Sequence, residues 1–381
     1  MAITIKFNII NNYKKMTNKF FKFLTLGALT LSLPLTFASC SDDDNDDDKQ
    51  EPEVTIDPVK YGYILNEGTW NGNNSKLDIY HADGTIEKDV FAKVNGEAIG
   101  DTGQDLLAYG GRLYLAVWGS NYIAKLDKDC KLIEKYSFKA EEGQPRHLAA
   151  QDGFVYVSTY GSKVAKFDTT SLAAPKGFVE VGDNPEAIAV KGNYLVVCNS
   201  QKDNVSDTRI SVIDLTSFSL KENITTEYGN FQSVEVVGDS VYVTYYTPTY
   251  AIEMLNLDLS KNTVKPSGAA TKMVAYDGKL YCANVATVYD ADWNATTNTS
   301  FFVRDVKTGK DSNFLDLSQT PELTTATVYM LSVDPSTGEF FVGVTDYKTN
   351  GTIYRFDKDG KFVTKFETSG VNPNKMENVN W

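Results

Sequence analysis

The chain has 381 residues, with 37 basic side chains against 50 acidic ones, for a formal charge of −13. That sign argues against a nucleic-acid binder, which needs a basic stripe for phosphates. Two His and four Cys argue against a His-rich metal enzyme and a disulfide-stapled miniprotein, and 20 Phe, 22 Tyr and 4 Trp argue against disorder.

Residues 23–38, FLTLGALTLSLPLTFA, form an uncharged apolar run behind Lys19 and Lys22. A charged n-region, an h-region and small residues before a cysteine make a processed secretory leader. The run is short for a bilayer span of ~20 residues and contains Pro34. Phe37-Ala38-Ser39-Cys40 resembles the bacterial lipobox, although Phe37 stands where Leu or Val is usual. The resemblance implies removal of residues 1–39 and acylation of the Cys40 thiol. Met16 heads a more typical leader than Met1 does. Processing leaves 32 basic residues against 50 acidic ones, a charge of −18 over 342 residues. Residues 40–59 then read as a lipidated cysteine and an acidic linker, because SDDDNDDDKQEPE is a self-repelling, solvated run. Its position also resembles the surface-export signal of lipoproteins in the Bacteroidetes. The expectation is an outer-membrane protein held by lipid alone and facing outward.

Residues 60–381 repeat one pattern. An apolar strand meets a Gly turn, a second strand follows with an aromatic near its centre, and a third strand ends in Asp. The second-strand centres fall at Tyr63, Tyr114, Tyr156, Val196, Tyr242, Tyr281 and Phe341. The closing acids are Asp127, Asp168, Asp214, Asp258, Asp305 and Asp357, at intervals of 41, 46, 44, 47 and 52, with His81 in the first unit. Four short strands in ~40–50 residues make a propeller blade. Seven second strands predict an all-β, seven-bladed β-propeller. The first unit lacks an inner strand ahead of Tyr61, and 370–381 (GVNPNKMENVNW) supplies one, so a C-terminal strand closes the ring. The GxNPxxI…G…LYV…VIDL pattern resembles YVTN-type propellers.

No nucleophile elbow, HExxH, CxxC pair or phosphate-cradling Gly loop is present. DKDG at 357–360 reads as a turn, and Cys198 and Cys282 read as small core fillers. No catalytic residue, metal ligand or cofactor is assigned.

Loops entering a propeller's inner strands and loops leaving its second strands share one rim. That rim collects Glu67, Trp118, Tyr160, Ser200, Tyr246, Val285 and Thr345 after the second strands. Trp70, Tyr245, Tyr250, Tyr289, Trp293 and Tyr347 lie nearby. Gln104, Arg146, Asn184, Gln232, Tyr329 and Asn374 stand at the entries. Aromatic planes interleaved with amides suit a large, mostly neutral ligand with flat apolar surface. The ligand-binding set is Glu67, Trp70, Trp118, Arg146, Tyr160, Tyr246, Trp293 and Tyr347. Inter-blade packing is the competing explanation, above all for Tyr160 and Tyr246.

SCSDDDNDDD (39–48), YILNEGTWNGNNS (63–75) and SVDPSTGEFFVGVTDY (332–347) together resemble the BtuG-type surface lipoproteins of gut Bacteroidetes. The resemblance implies non-enzymatic capture of cobalamin (vitamin B12), or a related corrinoid, and delivery to a TonB-dependent outer-membrane transporter. Two alternatives stay open. One is a propeller that binds glycan or protein. The other is a propeller lyase or hydrolase, for which the rim offers Glu67, Asp105, Glu186, Asp290, Asp292, Asp346 and His147 as acid or base groups.

Overall fold

The computed structural model describes residues 61–290 and 295–379. The leader, Cys40 and the acidic linker lie outside the described residues, as do Asp292 and Trp293. Every long element is a strand, arranged in seven four-stranded antiparallel sheets. No helix among the described residues is long and apolar enough to cross a membrane.

Blade 2 shows the plan, with strands Gly103–Tyr109, Arg112–Val117, Tyr122–Leu126 and Leu132–Ser137 running from the axis outward. Residues alternate between burial against one neighbouring blade and burial against the other, which accounts for the apolar second strands. The outer strand alternates half-buried and exposed positions because only one face is covered. Blades 3 to 7 repeat the plan, and blade 4 adds a small hairpin, Gln201–Lys202 with Val205–Ser206.

Blade 1 is assembled from both ends of the repeat region. Its inner strand, Pro373–Val379, pairs antiparallel with Tyr61–Asn66, placing Tyr63 opposite Glu377 and Ile64 opposite Met376. The predicted seven-bladed ring with a C-terminal closing strand is the observed one. Buried side chains group into seven clusters, each between consecutive blades. The seventh joins Ile64, Tyr80 and Met376 of blade 1 to Met330, Phe341 and Ile353 of blade 7. Asp78 reinforces the seam. Its buried carboxylate accepts from Asn66 Nδ2 at 3.0 Å and from the backbone amides of Asp89 and Ser369, each at 2.8 Å.

The repeated Asp is a turn former. Asp168 Oδ1 accepts from the Thr170 amide, Asp258 from Ser260, Asp305 from Lys307 and Asp357 from both Asp359 and Lys361. The DKDG stretch is therefore a turn. Cys130, Cys198 and Cys282 are free thiols buried between blades.

Candidate functional site at the channel mouth

One hydrogen bond builds the rim. In five blades, the residue at or just past the end of the second strand donates its amide to a carbonyl on the entry to the same blade's inner strand. The pairs are Glu67 to Asn372, Trp118 to Thr102, Tyr160 to Gln144, Ser200 to Asp183 and Tyr246 to Asn230, at 2.9–3.1 Å. Thr102, Asn230 and Asn372 take left-handed backbone conformations to offer those carbonyls. Asn adopts that region readily because its short polar side chain bonds locally. Gly143 and Gly161 approach so closely that a Cβ on Gly143 would lie 1.9 Å from the Gly161 nitrogen, which fixes the loop behind Tyr160.

A second device aims side chains at the axis. In six blades the inner strand carries one extra residue near its start, a β-bulge. Bulges re-aim a side chain beside a site. The extra residue is Gln104 in blade 2, Gln232 in blade 5, Tyr329 in blade 7 and Asn374 in blade 1. The bulges of blades 3 and 4 span Arg146-His147 and Glu186-Ala187. Blade 6 pairs without a bulge, and Lys272 opens its inner strand.

Gln232 donates back to Asn230, and Asn374 donates to the Gly103 and Gln104 carbonyls; the others join two connected groups. On the side of blades 2 to 4, Arg146 binds Glu186 through Nε and Nη2 at 2.9 and 2.6 Å, and donates through Nη1 to Gln104 at 2.5 Å. The Tyr160 hydroxyl also donates to Glu186. The Arg146 guanidinium lies 4.8 Å from the Tyr160 ring centroid and 5.7 Å from that of Trp118, and the two rings meet edge to face at 6.1 Å. Trp118 Nε1 is buried and, among the described residues, has no hydrogen-bond partner. Burial pushes the Tyr246 phenol up, helped by the nearby Glu186 charge. On the side of blades 6, 7 and 1, the Tyr329 hydroxyl donates to Glu67 at 2.6 Å, and Lys272 Nζ stands 4.8 Å from the Tyr329 ring centroid. Tyr347 closes edge-on against Tyr329 at 5.9 Å. Burial raises the Glu67 carboxyl above the ordinary range, against the Tyr329 hydrogen bond and the fields of Arg146 and Lys272.

Deeper in the channel, Lys375 Nζ lies 3.4 Å from Glu377 and 3.9 Å from Asp105, and His147 Nδ1 lies 3.4 Å from Asp105. Burial opposes charge on Asp105, yet Lys375 and His147 hold its carboxyl below the ordinary range. Among the described residues no group of three His, Cys, Asp or Glu is arranged to hold a metal ion.

Beyond the mouth stands a discontinuous crown of apolar tips. Among the described residues, the five most exposed large apolar side chains are Tyr250 (81%), Trp70 (75%), Val205 (69%), Val288 (61%) and Tyr347 (53%). Tyr250, Trp70, Val205 and Tyr347 sit between second and third strands, in blades 5, 1, 4 and 7, and Val288 sits near the end of the extended second strand of blade 6, Lys279–Tyr289. The corresponding loops of blades 2 and 3 are short and present only Trp118 and Tyr160, so the crown has a low side there. The Trp70 tip is held by its own loop and by the entry to blade 2. The Thr69 amide donates to Asn74 Oδ1 at 2.8 Å and the Asn71 amide to Asp101 Oδ2 at 3.1 Å. Tyr250 and Tyr347 both take φ of 63°, a conformation that is uncommon for a bulky residue and strained.

Of the rim residues expected from sequence, Glu67, Trp118, Arg146, Tyr160 and Tyr246 converge on the mouth. Tyr347 packs at its edge, and Trp70 stands apart on an exposed tip. Trp293 lies outside the described residues. Asn184 points elsewhere, donating to the Gln201 carbonyl at 2.6 Å. Glu186 holds the corresponding inner position. Lys272 was missed, because an isolated Lys ahead of an apolar strand carries no signal unless blade entries are aligned.

The repeat region, 61–372, matches the family described as "Domain of unknown function (DUF5074)". The chain belongs to that family. No curated protein matches it. Among solved structures, the DUF5074 propeller is similar to Kuenenia stuttgartiensis hydrazine synthase, at 17% identity and a TM-score of 0.54 over 70% of this chain and 87% of that one. It is also similar to the Neurospora crassa Pan2 WD40 domain, at 11% identity and a TM-score of 0.51 over 68% of this chain and 78% of that one. At such identity the likeness extends to the fold alone.

Proposed function

We propose that this propeller is a surface-anchored, non-enzymatic binding protein that captures a large, flat ligand at the channel mouth. The ligand class we assign is cobalamin or a related corrinoid, passed on to a TonB-dependent outer-membrane transporter. One observation carries the reading. Trp118, Tyr160, Tyr246 and Tyr329 converge on one mouth with Arg146, Gln104 and Glu67 between them, beneath rigid loops that expose Trp70, Tyr250 and Tyr347. Aromatic planes receive an apolar ring face, and the interleaved polar groups receive hydrogen-bonding substituents. Loops already locked by their own hydrogen bonds lose little entropy on binding, which favours capture from dilute solution. Arg146 and Glu186 neutralise each other, an arrangement suited to orienting a ligand rather than to proton transfer. The lipobox-like Phe37-Ala38-Ser39-Cys40 and the acidic run behind it support the surface location.

Calorimetric titration with cyanocobalamin tests the ligand. Binding that a corrinoid shows and a glycan panel does not would support the reading, and no heat with any corrinoid would end it. Replacing Cys40 with Ser tests the anchor, since acyl chains contribute ~0.8 kcal/mol per buried methylene. The variant should leave the membrane fraction, and retention there would end the lipoprotein reading.

A further inference from the structure

Lys272 has a setting unlike those of the other channel cations. Arg146 has Glu186, and Lys375 has Glu377 and Asp105. Among the described residues, no carboxylate lies within 4.0 Å of Lys272 Nζ and no hydrogen bond engages it; the Tyr329 ring centroid lies 4.8 Å away. The side chain is half-buried at a mouth open to solvent. The missing bulge of blade 6 leaves it in regular strand pairing opposite Ala283, on a rigid sheet.

We propose that Lys272 is a nucleophilic amine that forms a reversible imine with an aldehyde or ketone ligand entering the channel mouth. The chemistry needs no cofactor. The neutral amine's lone pair attacks the carbonyl carbon, a C–N bond forms, and the π electrons move to oxygen. A proton passes from nitrogen to that oxygen, giving a carbinolamine. The hydroxyl then leaves as water after taking a second proton, the nitrogen lone pair forms C=N, and loss of the N–H proton gives the neutral imine. The balance is amine plus carbonyl to imine plus water, with no change of oxidation state.

Glu67 and Tyr329 are the neighbouring groups able to supply the acid that the departing hydroxyl needs. They share one hydrogen bond, and Glu67 acts on Lys272 through its field. Burial lowers the Lys272 ammonium from its ordinary range, while Glu67 pulls it the other way. A lysine whose ammonium form burial disfavours is the usual form of an amine nucleophile. Glu67 is itself raised by burial, so both partners are biased toward the neutral forms that addition and dehydration require. The inference does not depend on the corrinoid reading.

The test treats the full chain near neutral pH with limiting propionaldehyde and sodium cyanoborohydride, which reduces any imine to a stable secondary amine. Each lysine is then quantified by peptide mass spectrometry. Lys272 is expected to be labelled severalfold faster than the exposed Lys279 and Lys307 of the same blade. It should lose that lead in denaturant. Lys272→Arg, which keeps the charge, should lose the fast adduct at an unchanged melting temperature. Labelling of Lys272 no faster than Lys279, a lead that survives unfolding, or a fast adduct persisting in Lys272→Arg would each overturn the proposal. Loss of corrinoid binding with Lys272 still labelled first would leave it standing.

Discussion

The Tyr329 hydroxyl donates to the Glu67 carboxylate at 2.6 Å, joining residues 262 positions apart across the seam between the last blade and the first. The same seam carries Ser332 Oγ to the Met376 carbonyl at 2.9 Å and Arg355 Nη1 to the Tyr80 hydroxyl at 3.0 Å. Ring closure and the candidate site therefore share residues. The geometry of the mouth depends on the closing strand.

Deleting 370–381 removes the inner strand of blade 1 and leaves Tyr61–Asn66 as an unpaired edge beside the axis. The milder Met376→Ala opens a cavity among Ile64, Tyr80, Phe341 and Ile353, with an expected cost of ~2–5 kcal/mol. Urea unfolding should show the midpoint falling in both, further in the truncation. A truncated chain as stable as the full one would mean that closure contributes nothing.

Trp118 separates a ligand platform from a packing element. Its ring is half-buried against Tyr160 and Arg146, yet its indole N–H has no partner among the described residues. A buried donor without an acceptor costs ~1–3 kcal/mol, a debt that a ligand acceptor would relieve. Trp118→Phe keeps an aromatic plane and removes the donor. It should hold or slightly raise the melting temperature while weakening cyanocobalamin binding about tenfold, equivalent to ~1.4 kcal/mol. The reverse outcome, lost stability with unchanged affinity, would assign Trp118 to packing.

Tyr250 tests whether backbone strain at the crown serves binding. Its side chain is 81% exposed and its φ is 63°. Asn tolerates that conformation far better than Tyr, so Tyr250→Asn should gain up to ~1 kcal/mol in stability. Ligand affinity should fall if the ring is a contact. A variant with both stability and affinity unchanged would show that the strained tyrosine has no function at the rim.

Burial pushes the Glu235 carboxyl up to about 7 from an ordinary 4.5, with Lys375 pulling it back and a bond from the Ala275 amide in the same sense. Glu377 and Asp105 face the same ammonium. Because the folded value is raised, folding favours protonated Glu235. This group's contribution is fully present below about 4.5 and is lost as pH rises through about 7. The urea midpoint of wild type should therefore fall, relative to Glu235→Gln, between pH 5 and pH 8. A difference between the two proteins that stays constant across that interval would refute a buried, titrating Glu235.

Much of this architecture was legible in the sequence. Seven second-strand centres, closing Asp residues at near-constant intervals and an orphan strand at 370–381 determined the blade number, the strand order and the closure. Local chemistry sets each of these: period-two burial, Asx turns, and the requirement that an inner strand not be left unpaired. The rim was legible as a set of loops, because propeller topology puts second-strand exits and inner-strand entries on one face. Only the tertiary structure decided which side chains reach the axis. A bulge adds one residue to one strand and leaves no mark in hydrophobic periodicity, yet it makes Gln104, Gln232, Tyr329 and Asn374 the extra residues at the inner-strand entries. Glu186 replaced Asn184 for the same reason. Lys272 escaped notice because its blade lacks the bulge, and the six entry residues picked out by sequence skipped blade 6 altogether. Register across a sheet is a cooperative property of paired strands, so it is absent from any one strand read alone.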